Sequence, residues 1–130
     1  MVKDTIAQLI TTLQNGGLAE KPSVTFQYSA RIEKILELLK REGFIKDFSK
    51  KGKKIGKSIE VELEYQDGSP RIHKARRVSH FSRRVYSAAR DLYPYKNGFG
   101  VRVLSTSKGL MTDKVARKAR LGGEVLFEIW

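Results

Sequence analysis

Three hydroxyls in succession, Ser105-Thr106-Ser107, followed by Lys108 and Gly109, are the residues whose types and spacing most readily do chemistry. Serine and threonine both donate and accept hydrogen bonds, so such a run can bond phosphate, ribose hydroxyls or base edges. Lys108 can neutralise a phosphate, and Gly109 lets another backbone approach closely. Thr112 to Val115 reads as a helix start, where free N–H groups favour an anion. An ordinary Ser/Thr-rich surface loop has the same composition, so on its own chemistry the segment leaves both readings open.

Enzymatic and metal readings are weaker. Ser105-x-x-Lys108 matches the Ser-x-x-Lys spacing of acyl enzymes, but no Ser-Asp-Asn or Lys-Thr-Gly element accompanies it. A lysine acting as a base must be desolvated, and Lys108 neighbours a cationic surface. His73 and His80 have no Cys, His-Glu-x-x-His or carboxylate partner at ligand spacing, so no metal site is read. Gly98-Phe99-Gly100 lacks the third glycine of a dinucleotide fingerprint. No catalytic residue and no cofactor are expected.

The charge sharpens the class of partner. The 130 residues hold 26 Lys plus Arg against 14 Asp plus Glu, a net +12, with 40% hydrophobic residues. Residues 1–65 contribute +3 of this and residues 66–130 contribute +9. Arg71, Lys74, Arg76, Arg77, Arg83, Arg84 and Arg90 fall in one stretch without an acid, interleaved with Val78, Phe81, Val85 and Tyr86. That interleaving predicts strands with one face in a core and arginines on the other. The lysine-rich stretch Lys50 to Lys57, with Gly52 and Gly56, reads instead as a solvated hairpin tip. A cationic chain with this much apolar content is a folded protein whose simplest partner is a polyanion, most often nucleic acid. The absence of cysteine fits a reducing compartment and excludes a disulfide framework. No apolar run is long enough to span a membrane, and the amphipathic start with Asp4, Gln8 and Gln14 is unlike a targeting peptide.

The elements that must position these residues follow from periodicity. Asp4 is placed to cap a helix with Ile6, Leu9, Ile10 and Leu13 on one face, stopped at Asn15-Gly16-Gly17. Val24, Phe26 and Tyr28 alternate as a strand, and Ser29 then caps a second helix carrying Ile32, Ile35, Leu36 and Leu39. A strand over Phe44 to Phe48 follows. Ile59, Val61, Leu63 and Tyr65 next alternate with Glu60, Glu62 and Glu64. The turn cluster Gln66-Asp67-Gly68-Ser69-Pro70 marks a boundary, giving domains 1–66 and 67–130. Beyond it strands are expected at Ile72 to Val78, Arg83 to Tyr86, Gly100 to Leu104 and Glu124 to Trp130. One short helix, about Asp113 to Leu121, is capped by Thr112 and stopped by Gly122-Gly123. On this reading Ser105 to Gly109 is a loop between strand and helix. The fold class is α+β: an α-β-α-β-β domain, then a mostly β domain with one short helix.

Leu104-Ser105-Thr106-Ser107-Lys108-Gly109-Leu110-Met111-Thr112, then Ala116-Arg117 and Gly122-Gly123-Glu124-Val125 ending in Trp130, resembles the carboxyl-terminal signature of a ribosomal family. This is the bacterial-type family of the eighth protein of the small ribosomal subunit. The likeness extends through Arg77-Val78-Ser79, Arg83-Arg84-Val85-Tyr86 and Asn97-Gly98-Phe99-Gly100. It reaches the amino half at Asp4-Thr5-Ile6-Ala7 and Leu39-Lys40-Arg41-Glu42-Gly43-Phe44-Ile45.

The resemblance implies a non-enzymatic structural constituent that binds the central domain of small-subunit ribosomal RNA directly and early in assembly. It maps RNA contact onto Tyr86, Ser105, Thr106, Ser107 and Glu124, with Lys108 and Gly109 completing the loop. Arg83 and Arg84 lie beside Tyr86 in the likeness, and Asp4, Thr5 and Arg31 match more peripheral contacts. It further implies packing beside neighbouring small-subunit proteins, especially the fifth, and repression of its own operon's messenger through a mimic of the ribosomal site. The free protein is expected to be a monomer, located in the small ribosomal subunit of the cytoplasm or of an organelle. Two departures stand out. Thr11, Thr12 and Gln14 occupy places where relatives carry arginines, and His80-Phe81-Ser82 replaces a Lys-Pro-Gly turn.

Overall fold

A computed structural model describes residues 5–52, 56–80 and 82–130. The described residues form an α+β fold in two compact units, divided between His73 and Lys74. Asp4, the expected first cap, Phe81 and part of the lysine-rich tip lie outside the described residues.

In the first unit α1 spans Thr5–Leu18, β1 Ser23–Gln27, α2 Ala30–Arg41, β2 Ile45–Lys51 and β3 Ser58–Leu63. The strands form an antiparallel sheet in the order β1-β3-β2. Alternation decides which way β3 faces: Ile59, Val61 and Leu63 are buried, whereas Glu60 and Glu62 lie toward solvent. Against that inner face pack Leu9 and Leu13 of α1 and Ile35, Leu36 and Leu39 of α2, all fully buried. Each such side chain contributes about 1.5–3 kcal/mol by leaving water. Ser29 stands at the amino end of α2 with extended backbone, as a cap should, but its side chain makes no capping bond.

α1 does not stop at Asn15-Gly16-Gly17; it runs through them to Leu18. Both glycines are buried because neighbours come close: a Cβ on Gly16 would lie 2.6 Å from Val24 Cγ1, and one on Gly17 3.0 Å from Pro70 Cβ. The glycines therefore serve packing, not termination. Past Leu18 the helix is closed by Glu20, which adopts φ +56° while its N–H donates to the Gly17 carbonyl and Lys21 N–H donates to the Gly16 carbonyl. This paired closure satisfies carbonyls that the helix leaves open. The turn cluster after β3 is itself a hairpin, β4 (Tyr65–Gln66) paired with β5 (Ser69–Pro70). Asp67 and Gly68 both have positive φ, as its two-residue primed turn requires. The Tyr65 hydroxyl donates to the Lys21 carbonyl, fixing this hairpin to the end of α1.

The second unit contains β6 (Ala75–Arg77), β7 (Tyr86–Ser87), β8 (Val101–Thr106), β9 (Gly109–Thr112), α3 (Asp113–Ala119) and β10 (Gly123–Ile129). The sheet order is β6-β10-β8-β9, with β7 also paired to β10. β6 and β7 are shorter than the alternation predicts, because the intervening arginines lie in a loop. Val103, Leu104, Phe127 and Ile129 are fully buried, and Leu92, Ala116 and Val125 join Leu104 in a cluster under α3. As expected, the Thr112 hydroxyl caps α3, accepting from Val115 N–H at 3.4 Å.

Inside a helix alanine normally gains about 1 kcal/mol over glycine, whereas overpacking a full core costs about 1–3 kcal/mol. Gly16→Ala is therefore expected to lower the unfolding free energy in urea titration. A gain in stability would show that the Val24 contact yields without cost.

Candidate nucleic-acid interface

Ser105 to Gly109 is not a strand-to-helix loop. Ser105 and Thr106 end β8, Gly109 begins β9, and Ser107-Lys108 is the two-residue tip of the hairpin between them. Sequence reading missed β9 because four residues rising into a helix cap carry little alternation. Gly109 has φ +109°, a conformation that a side chain strongly disfavours, so its glycine serves the turn. Thr106 locks the tip: its hydroxyl donates to the Gly109 carbonyl at 2.8 Å and accepts from Lys108 N–H at 3.2 Å. That hydroxyl is thereby committed internally. The hydroxyls of Ser105 and Ser107 have no hydrogen-bond partner among the described residues, and Ser107 and Lys108 are exposed.

β10 brings the remaining residues to this hairpin. Glu124 pairs across to Ser105 on one side and Tyr86 on the other, forming the row Tyr86–Glu124–Ser105 over three strands. The row is this tight only because of the glycines before it. A Cβ on Gly123 would stand 2.4 Å from the Ser105 carbonyl oxygen, and one on Gly122 2.6 Å from that of Ser87. Tyr86 is 71% exposed, so its ring contributes little to the core and presents a free π-face. Arg84 donates to the Glu124 carboxylate at 3.1 Å, which holds its guanidinium over the row. Burial first, then the nearby Arg84 charge, push the Arg77 guanidinium down, and Glu124 partly offsets them.

The short β7 needs support, and Ser79 supplies it. This buried serine accepts from Val85 N–H at 2.9 Å and donates to the Val85 carbonyl at 3.3 Å. Val85 in turn accepts from Val125 N–H at 2.8 Å, which sets Tyr86 beside Glu124. Before Ser79 can do this, the chain must reverse, and it does so through reciprocal backbone bonds between His80 and Arg83. Arg83 is exposed at that turn. Composition and periodicity do not distinguish Ser79 from any surface serine; only the Arg77-Val78-Ser79 likeness includes it.

Thr5 and Arg31 belong to the first unit. Thr5 opens α1 and lines a cavity of about 310 Å³ with Gln8, Thr12, Thr25, Tyr28 and Ser29, while Arg31 is exposed on α2. Among the described residues no His/Cys/Asp/Glu group could hold a metal ion, and no helix is long and apolar enough to cross a membrane.

The second unit also holds a buried carboxylate, Glu128. Glu128 of β10 pairs with Arg76 of β6 at 2.7 Å and approaches Arg102 of β8 at 3.7 Å. Burial pushes its carboxyl up, but hydrogen bonds from Arg76 and the Tyr95 hydroxyl, with the charges of Arg76 and Arg102, outweigh this and hold it below the usual range. Burial, then that same bond, pushes the Tyr95 phenol up to about 12.

Residues 4–130 match the family model described as ribosomal protein S8. The chain is 41% identical over 129 residues to small ribosomal subunit protein uS8 of Mesomycoplasma hyopneumoniae (strain 7448), covering 99% of this chain and 98% of that protein. It is 44% identical over 128 residues to small ribosomal subunit protein uS8 of Bradyrhizobium sp. (strain ORS 278), covering 98% and 97%. With small ribosomal subunit protein uS8c of Chlorella vulgaris it shares 41% identity over 139 residues, covering 100% of each.

Ser79→Ala leaves the buried Val85 N–H without its acceptor and should cost about 1–3 kcal/mol. Thermal unfolding, with faster hydrogen exchange at the Val85 amide, checks this; an unchanged amide would mean that Ser79 does not hold the segment. Because the folded pKa of Glu128 is depressed, its contribution is present above the unfolded value near 4.5 and is lost as pH falls through the folded value. Glu128→Gln should therefore be less stable than the parent at neutral pH, and the gap should close on acidification. Parallel stability curves down to the acid transition would contradict that linkage.

Proposed function

The chain belongs to the ribosomal protein S8 family, a structural and non-enzymatic component of the ribosome, and from this we propose that its second unit binds small-subunit ribosomal RNA directly. The observation that carries the reading is the row Tyr86–Glu124–Ser105 beside the rigid Ser107-Lys108 tip. Two free hydroxyls, a carboxylate and an open aromatic ring are brought together in the half that carries +9 of the net charge.

These groups fit RNA better than regular B-form DNA. An A-form helix has a wide, shallow minor groove lined with 2′-hydroxyls, and short hydroxyl side chains on a flat hairpin can reach them. Irregular stems also expose unpaired bases, on which the Tyr86 ring can stack. Glu124 can accept from a base amino group with one oxygen while the other retains Arg84. The exposed arginines and Lys108 supply salt-dependent attraction to phosphate, whereas the uncharged groups discriminate.

By resemblance, the RNA is the central domain of the small-subunit ribosomal RNA, bound early in assembly. Tyr86, Ser105, Ser107, Lys108, Gly109 and Glu124 make the main contact, with Arg83 and Arg84 beside it. Thr106 acts through the shape of the tip. Thr5 and Arg31 touch RNA peripherally. Neighbouring small-subunit proteins, especially the fifth, pack alongside, and the messenger of the protein's own operon is bound through a mimic of the same stem.

Ser107→Ala should weaken binding to the cognate ribosomal stem by about 1–3 kcal/mol, since a desolvated RNA group loses its partner, and leave random duplex RNA unaffected. Filter binding of both RNAs at fixed salt measures this. Equal loss on the two, or failure of the chain to co-sediment with small subunits at high salt, overturns the reading.

A further inference from the structure

β8 carries Ser105 and Arg102 three residues apart, so their side chains leave opposite faces of the sheet. On β10 a bulge between Val125 and Phe127 adds one residue, which keeps Glu124 beside Ser105 and turns Glu128 to the face of Arg102. The second face is thus distinct from the Tyr86–Glu124–Ser105 row, and its side chains form a continuous array. The Arg102 guanidinium lies 4.7 Å from the Tyr93 ring centre and 4.9 Å from that of Tyr95. Tyr95 meets Trp130 edge to face at 5.9 Å, and the Lys96 ammonium lies 4.7 Å from the Trp130 ring. Arg102 also donates to the Tyr93 hydroxyl at 3.0 Å, which fixes that ring in place. Buried Glu128 braces the array from beneath through Arg76 and Arg102.

The array ends in an open ring, because Tyr93 is 58% exposed. A fixed, exposed aromatic face backed by cations suits a planar group on an anionic chain. An acidic peptide fits less well, since its carboxylates offer no planar ring to lie on the exposed Tyr93 face. A base stacked on Tyr93 displaces nothing, and the side chain of Arg76, 63% exposed, remains within this cationic face.

We propose that Tyr93, held by Arg102, is a second nucleic-acid contact that stacks one unpaired base, separate from the Ser105–Gly109 hairpin. The proposal rests on RNA being the partner of this unit, but not on the hairpin's choice of stem. Trp130 is the sole tryptophan of the chain and belongs to the array, so its fluorescence reports this face. Titration of the full chain with single-stranded oligoadenylate about eight nucleotides long is expected to quench Trp130 to saturation. Tyr93→Ala should weaken that binding about tenfold, and Tyr93→Phe should restore it by keeping the ring. Equal affinity of Tyr93→Ala and the parent overturns the proposal. So does a saturating response to polyglutamate with none to oligoadenylate, which would assign the face to an acidic protein. A cognate stem indifferent to Ser107→Ala would overturn the hairpin reading alone and leave this titration standing.

Discussion

β10 hydrogen-bonds to β6, β7 and β8, and its register holds the second unit together. The strand is buried from Val125 to Ile129, so a slip of one residue would exchange every inward and outward side chain at once. Two local features prevent that slip. Gly122 and Gly123 admit backbone neighbours at distances no other residue tolerates, and the bulge absorbs one residue where Leu126 accepts from Val78 N–H. The first feature assembles the Tyr86–Glu124–Ser105 row. The second sends Glu128 to the opposite face, where it can serve Arg76 and Arg102 without disturbing Glu124.

Acidic residues are scarce in this half, and their placement matters more than their number. Glu124 retains Arg84, Glu128 retains Arg76 and Arg102, and buried Asp113 accepts from the Arg102 backbone N–H at 3.1 Å. Three of the five acids thus organise neighbouring groups rather than merely reduce the net charge. Beyond the stability that a buried Glu128 adds, these pairs have a geometric value, since a guanidinium held in one place costs less entropy to bind than one sweeping through solvent.

The fold was legible in the sequence where one periodicity dominated. The alternation of Ile59 to Glu64 and the stripes of α1 and α2 predicted their elements and their buried faces. Misreadings arose where tertiary contact overrides a local signal. Gly16-Gly17 looks like a helix stop until Val24 and Pro70 are known to press against it. Gly109 looks like an opening for a ligand until the two-residue turn around Ser107-Lys108 requires its positive φ. Of the candidate site, the hydroxyl run could be noticed from composition, but Tyr86 and Glu124 entered through resemblance. Strand pairing across nearly twenty to forty residues leaves no local trace. The bracing role of Ser79 was invisible because a buried serine and an exposed one read alike.

Thr106 spends its hydroxyl holding the hairpin tip in shape before any partner arrives. A surface already in its final form loses little freedom on docking, so encounter is not slowed by folding of the loop. In the proposed RNA complex, association then follows how fast the cationic half is drawn to its target, and dissociation follows how many short-range bonds must break. One threonine that need touch no partner thereby separates arrival time from dwell time, leaving each to be tuned by a different set of side chains.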